Sequence, residues 1–61
     1  MTMRVTIENA DDSGRVLEVE QQDRPADKHE WAQSDKVTLA KGEKRSWYIH
    51  AARRLLVTEV P

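Results

Sequence analysis

The sequence predicts an all-β fold, a small five-stranded antiparallel sandwich or open barrel. Three observations carry that prediction. Apolar and polar residues alternate with a period of two in several short segments, as in Met3, Val5 and Ile7 against Arg4, Thr6 and Glu8. Turn-forming clusters recur between these segments at spacings typical of small sandwiches and barrels. At 61 residues the chain is one small domain, 1–61, and far too short for a dinucleotide fold or a (β/α)₈ barrel.

The first strand is the alternating run 3–8. Asn9-Ala10-Asp11-Asp12-Ser13-Gly14 follows, dense in residues that make local side-chain turns or tolerate left-handed backbone. A second strand runs from Arg15 to Gln22, with Leu17 and Val19 on one face and Val16, Glu18 and Glu20 on the other. The connection between the two suits an antiparallel hairpin. Residues 22–35 break the alternation. Pro25 is placed to open a short helix, but only Trp31 and alanines offer it an apolar face, so a surface loop with Trp31 pinned to the sheet is expected.

Alternation resumes from Asp35 to Ala40, with Val37 and Leu39 on one face. Lys41-Gly42 then supplies a glycine where a type II turn needs positive φ. Lys44–His50 reads as the fourth strand, Trp47 and Ile49 alternating with Ser46, Tyr48 and His50. Ala51–Arg54 connects to a last strand, Leu55–Val60, apolar on both faces at its start. The expected core is Val5, Ile7, Leu17, Val19, Val37, Leu39, Trp47, Ile49 and Val57.

That core is thin. Six of the apolar residues are alanines, Phe is absent, and a chain near this size buries only about 60% of its unfolded surface. Cysteine is absent, so neither a disulfide framework nor a thiolate metal site compensates. No segment approaches a membrane span, and the start has no apolar signal-peptide region, so a cytosolic origin and no membrane partner are expected. The formal net charge is -1, but residues 1–35 carry nine acids and four bases, and residues 36–61 six bases and two acids. This polarity either orients the chain on a charged partner or is mixed away when strands from both halves interleave.

Chemistry-bearing constellations are sparse. His29 and His50 lack metal-ligand spacing. Ser46, His50 and Asp35 form a hydrolytic triad only on paper, because no nucleophile elbow accompanies them. Gly14 and Gly42 stand alone, so no phosphate loop exists. No catalytic residue, metal or cofactor is expected. Lys41, Lys44, Arg45, Arg53 and Arg54 flank Trp47 and Tyr48, which suits nucleic-acid binding; the acidic balance of the whole chain argues against it. Trp31, Tyr48, Arg53, Arg54 and Leu55 form the candidate protein interface, being the residue types that dominate interface energies or an aliphatic left over by the core.

Arg4-Val-Thr-Ile-Glu-Asn9, Val37-Thr-Leu-Ala-Lys-Gly-Glu43, Trp47-Tyr-Ile-His50 and Leu55-Leu-Val-Thr-Glu59 resemble small phage-encoded β-sandwich proteins over residues 3–9 and 36–60. In that group a strand ending in Asn opens the chain, a Leu-Ala-x-Gly-Glu turn precedes a strand ending in Val/Ile-His, and a Leu-x-Val-x-Glu strand closes it. The group more often has Pro where this chain has Lys41. The resemblance implies a virion component of the head-decoration, cement or minor capsid type, assembled in the host cytoplasm. Its partner would be the major capsid protein or another virion protein, with a homo-oligomer also compatible. An adaptor that binds a host protein remains an alternative reading of the same surface.

Overall fold

The computed structural model describes residues 1–60. It contains five strands and no helix: β1 (Met3–Glu8), β2 (Val16–Asp23), β3 (Ala32–Leu39), β4 (Lys44–Ile49) and β5 (Arg53–Val60). All pairings are antiparallel. β1 and β4 form a two-stranded sheet, and β3, β2 and β5, in that order, form a three-stranded one. The Cα envelope measures 42 × 23 × 11 Å. Its shortest dimension matches the spacing of about 10 Å between two stacked sheets.

The expected hairpin between the first two strands does not form. β1 pairs instead with β4, Met3 lying opposite Ile49 and Glu8 opposite Lys44. β2 pairs on one side with β3 and on the other with β5. Of the four connections, only that between β2 and β3 joins neighbours in a sheet; the other three pass between sheets. The cause of the first crossing is Asn9, 2% exposed and the one buried polar residue among those described. Its Nδ2 donates to the carbonyls of Leu39 (2.9 Å) and Arg15 (3.0 Å), and its Oδ1 accepts the Asp11 amide (3.0 Å). Its backbone N–H donates to the Glu43 carbonyl (2.9 Å), while its carbonyl accepts the Gly42 amide (2.8 Å). The chain leaving β1 is thereby fastened to the end of β3, the entry to β2 and the β3–β4 turn.

That turn matches its expected form. Gly42 has φ +79°, and the Glu43 amide donates to the Ala40 carbonyl at 2.9 Å. Residues 22–35 depart further from expectation. The β2–β3 ladder continues past a bulge between Gln21 and Gln22, pairing Gln22 with Gln33 and Asp23 with Ala32. The connecting segment therefore contracts to residues 24–31. Gln33, Ser34 and Asp35 are polar and exposed, so they leave no apolar alternation to read; Ser34 is the extra residue of the bulge, its hydroxyl accepting Gln21 Nε2 at 2.9 Å. Around Pro25 a single turn closes by the Lys28 amide on the Pro25 carbonyl, 3.0 Å, in place of a helix. β5 likewise begins two residues earlier than expected, at Arg53, because Arg53 and Arg54 pair with Asp23 and Gln22.

Val19, Leu39 and Trp47 are buried, with Ile7, Leu17, Val37 and Leu55 packed partly buried around them. Val5 and Ile49, expected in the core, are half-buried. Val57 is a correction: it lies directly opposite Val19 and so shares the inward face, yet it is 51% exposed. Two strands at about 4.8 Å spacing cannot roof three, and β5 is an edge. The radius of gyration, 12.8 Å, exceeds the roughly 10.5 Å of a compact chain of this length. The accessible surface, 4614 Å², exceeds the roughly 4100 Å² of a monomer of this mass.

Asn9→Ala removes both side-chain donors and leaves two shielded carbonyls without partners. It is expected to destabilise the fold by about 2–4 kcal/mol, most of what a core this small supplies. Urea unfolding followed by Trp47 fluorescence measures this, and a change within 0.5 kcal/mol, the scale of an inert surface substitution, contradicts it.

Candidate interaction surfaces

The five candidate interface residues do not form one surface: three lie on two opposite faces, and the other two pack within the framework. Trp31 and Arg54 meet on the outward face of the three-stranded sheet. The Arg54 guanidinium lies 4.4 Å from the Trp31 ring centroid, and that of Arg24 lies 5.0 Å from it. Arg54 is oriented by its Nε donating to Gln22 Oε1 at 2.7 Å. Trp31 is thus pinned to the sheet by cations, with no apolar neighbour required. Tyr48 stands on the outward face of the other sheet, opposite Arg4 and 57% exposed. Leu55 packs, partly buried, against the core.

Arg53 belongs to the framework. Its Nε and one terminal nitrogen donate to the two carboxylate oxygens of Asp23, at 2.7 and 3.4 Å, and its other terminal nitrogen reaches the Tyr48 carbonyl at 3.4 Å. The hydrogen-bonded guanidinium holds Asp23 below the ordinary aspartate range, against the opposing effect of partial desolvation. This contact ties the start of β5 to the end of β2 and to the end of β4.

The basic candidates for nucleic-acid contact are mostly engaged as well. Lys41 pairs with Asp12 at 3.2 Å, and Arg45 reaches Asp35 at 4.0 Å while lying 5.8 Å from the Trp47 centroid. Lys44 lies opposite Glu8 in the β1–β4 ladder. Trp47 is 6% exposed, so its ring is unavailable for base stacking. Two further pairs, Arg15–Glu59 and Lys36–Glu18, complete the set among the described residues. Every one of the five ion pairs joins residues 1–35 to residues 36–61. The charge polarity of the sequence is therefore mixed in space, β5 and β3 flanking the acidic β2.

Ser46, His50 and Asp35 are not brought together. Ser46 lies in β4 and His50 just past its end, about 13 Å apart along the chain, and the Ser46 hydroxyl is hydrogen-bonded to that of Thr6 at 2.8 Å. Asp35 lies in the other sheet, facing Arg45. His50 Nδ1 accepts the Ala52 amide at 3.2 Å, a local turn contact, and His29 is exposed. No cluster of metal-ligating side chains occurs among the described residues, and no helix there is long and apolar enough to cross a membrane. A shallow, solvent-open depression of about 320 Å³ is lined by Arg24, Lys28 and His29 with Pro25 and alanines, and no acid or nucleophile lines it. Sequence reasoning missed two structural roles: Asn9 as the inter-sheet fastener and Leu56, 42% exposed, as an apolar group on an open edge.

Comparison with protein-family models, with curated proteins and with solved structures finds no match to this chain.

Two outcomes test these assignments. Arg54→Ala frees one face of Trp31; a red shift of Trp31 emission in a Trp47→Phe background is expected, with a stability loss of about 1 kcal/mol. In the native state Asp23 titrates below its unfolded value, so the stabilisation from its pairing is complete above the unfolded value and is lost as pH falls through the folded one. Arg53→Gln is expected to raise the Asp23 midpoint in an NMR titration and to flatten that acid-side loss of stability.

Proposed function

We propose that the protein is a non-enzymatic structural module of a bacteriophage virion, binding and stabilising a capsid or other virion surface protein. The observation that carries this reading is the mismatch between core and surface. Among the described residues three apolar side chains are buried, whereas Met3, Tyr48, Leu56 and Val57, all in strands, are exposed. An elongated two-layer chain with that balance gains stability when a partner covers it. The sequence resemblance over residues 3–9 and 36–60 supplies the virion as the setting. Tyr48 is the preferred contact, a large ring on a sheet face with Arg4 beside it. Nucleic acid is the weaker reading, since four of its five candidate bases already face an acid or an aromatic ring.

The test is co-sedimentation of the untagged protein with phage particles from the same genome, quantified by mass spectrometry. Stoichiometric copies on the particle are expected, and Tyr48→Ala is expected to lower occupancy by about tenfold, the effect of one truncated interface aromatic, without altering the unfolding midpoint of the free chain. Absence from particles overturns the reading. Saturable, salt-dependent binding of an oligonucleotide instead selects the nucleic-acid alternative.

A further inference from the structure

We infer that the depression between the β2–β3 connection and the β4–β5 corner binds a small phosphate monoester, its phosphate held by Arg24, Lys28 and His29. The inference is independent of the virion reading, because it concerns a small anion at one end of the molecule rather than a protein on the Tyr48 face.

Two backbone contacts build the site. The Arg24 amide donates to the Ala52 carbonyl at 2.9 Å, fastening the connection to the corner, and the Lys28 amide donates to the Pro25 carbonyl at 3.0 Å, closing a turn. Arg24, Lys28 and His29 thereby line one depression of about 320 Å³. That volume is at the lower end of small-molecule sites, roughly 300 Å³. It exceeds what a phosphate fills and leaves room for an organic body against Pro25, Ala51 and Ala52.

Charge selects the ligand. The chain has ten Lys and Arg residues, and five of them pair with acids among the described residues. Of the other five, Arg24, Lys28 and Arg54 gather at this end, while Arg4 and Lys44 stand in the two-stranded sheet. No acid lines the depression. Asp27 and Glu30, in the same connection, are exposed and join none of the five ion pairs, and Asp23 is occupied by Arg53. Arg24 lies 5.0 Å from the centroid of the Trp31 ring that it shares with Arg54. Stacking orients a guanidinium while leaving its in-plane N–H groups free for oxyanions.

A phosphate monoester carries close to two negative charges and three acceptor oxygens. Arg24 and Lys28 supply two matching charges, and with His29 they supply a donor for each oxygen. A carboxylate, with one charge and two oxygens, would leave one cation unmatched. A nucleic-acid backbone needs cations along a track, and elsewhere on this chain most cations are already paired with acids. The cluster therefore suits one compact dianion.

The test follows amide and indole NMR shifts of the full chain at constant ionic strength, with adenosine 5′-monophosphate, inorganic phosphate and acetate as probes. The monophosphate is expected to bind saturably with Kd below about 1 mM, moving the amides of residues 24–29 and 51–52 and the Trp31 indole. Inorganic phosphate is expected to move the same amides with weaker affinity, and acetate to leave them in place. Arg24→Gln/Lys28→Gln is expected to weaken monophosphate binding at least about tenfold, the loss of charge-assisted hydrogen bonds. Lys44→Gln, which removes a cation of the other sheet, is expected to leave it unchanged. All three substituted side chains are exposed, and the unfolding midpoint checks that the fold is retained. Absence of saturable shifts up to about 10 mM, above the millimolar range that counts as weak binding, overturns the proposal. So do equal affinity for inorganic phosphate or acetate, equal affinity in the double variant, and tighter, strongly salt-dependent binding of a single-stranded oligonucleotide.

Discussion

The arrangement depends on one buried residue, Asn9, whose every polar group has a hydrogen-bond partner. Both Nδ2 hydrogens of Asn9, its Oδ1, its amide and its carbonyl are all engaged, and its partners come from the β1–β2 connection, the end of β3 and the β3–β4 turn. A buried amide whose donors and acceptors were half satisfied would cost more than an apolar group in its place. Fully satisfied, it fixes how the two-stranded sheet is set against the three-stranded one. Trp47 can then project from one sheet onto Val19 and Leu39 of the other, and the small core closes at a single place.

Charge performs a second, looser joining. Arg53 and Asp23, each about one-third exposed, make a two-point contact that holds the β4–β5 corner against β2. The other ion pairs are more exposed and contribute little individually. Their common feature is direction: each links the acidic half of the chain to the basic half, so mispaired strands would place like charges together. Asn9 and the charge pattern thus specify the arrangement, while the thin core stabilises it.

The strands themselves were legible because period-two alternation records a face, and Met3–Glu8, Leu17–Val19, Val37–Leu39 and Trp47–Ile49 all alternate. The burial of Trp47 and the exposure of Tyr48 follow from the same parity, and the positive φ of Gly42 follows from its turn. Pairing was not legible. Alternation says which side is wet but not which strand lies alongside, and the Asn9–Gly14 segment has the composition of a hairpin loop while its first residue crosses between sheets. The first part of β3, residues 32–34, left no trace because these solvated residues carry no apolar alternation. Of the candidate surface, the outward Tyr48 could be read from the strand pattern; the stacking of Arg54 on Trp31 and the partial burial of Arg53 and Leu55 required the register.

The crossings between sheets carry a kinetic consequence. Only the β2–β3 ladder joins strands close in sequence; β1 finds β4, and β2 finds β5, across most of the chain, with Met3 opposite Ile49 and Val16 opposite Val60. Ordering such distant segments incurs loop-closure entropy before any contact compensates for it. A chain of 61 residues with this wiring belongs among slow β folders, on the millisecond-to-second scale, rather than among the microsecond folders of its size. During synthesis neither sheet is complete until β4 and then β5 have emerged. Until then the β2–β3 hairpin is the one native unit available, and its open side is the side that β5 later covers.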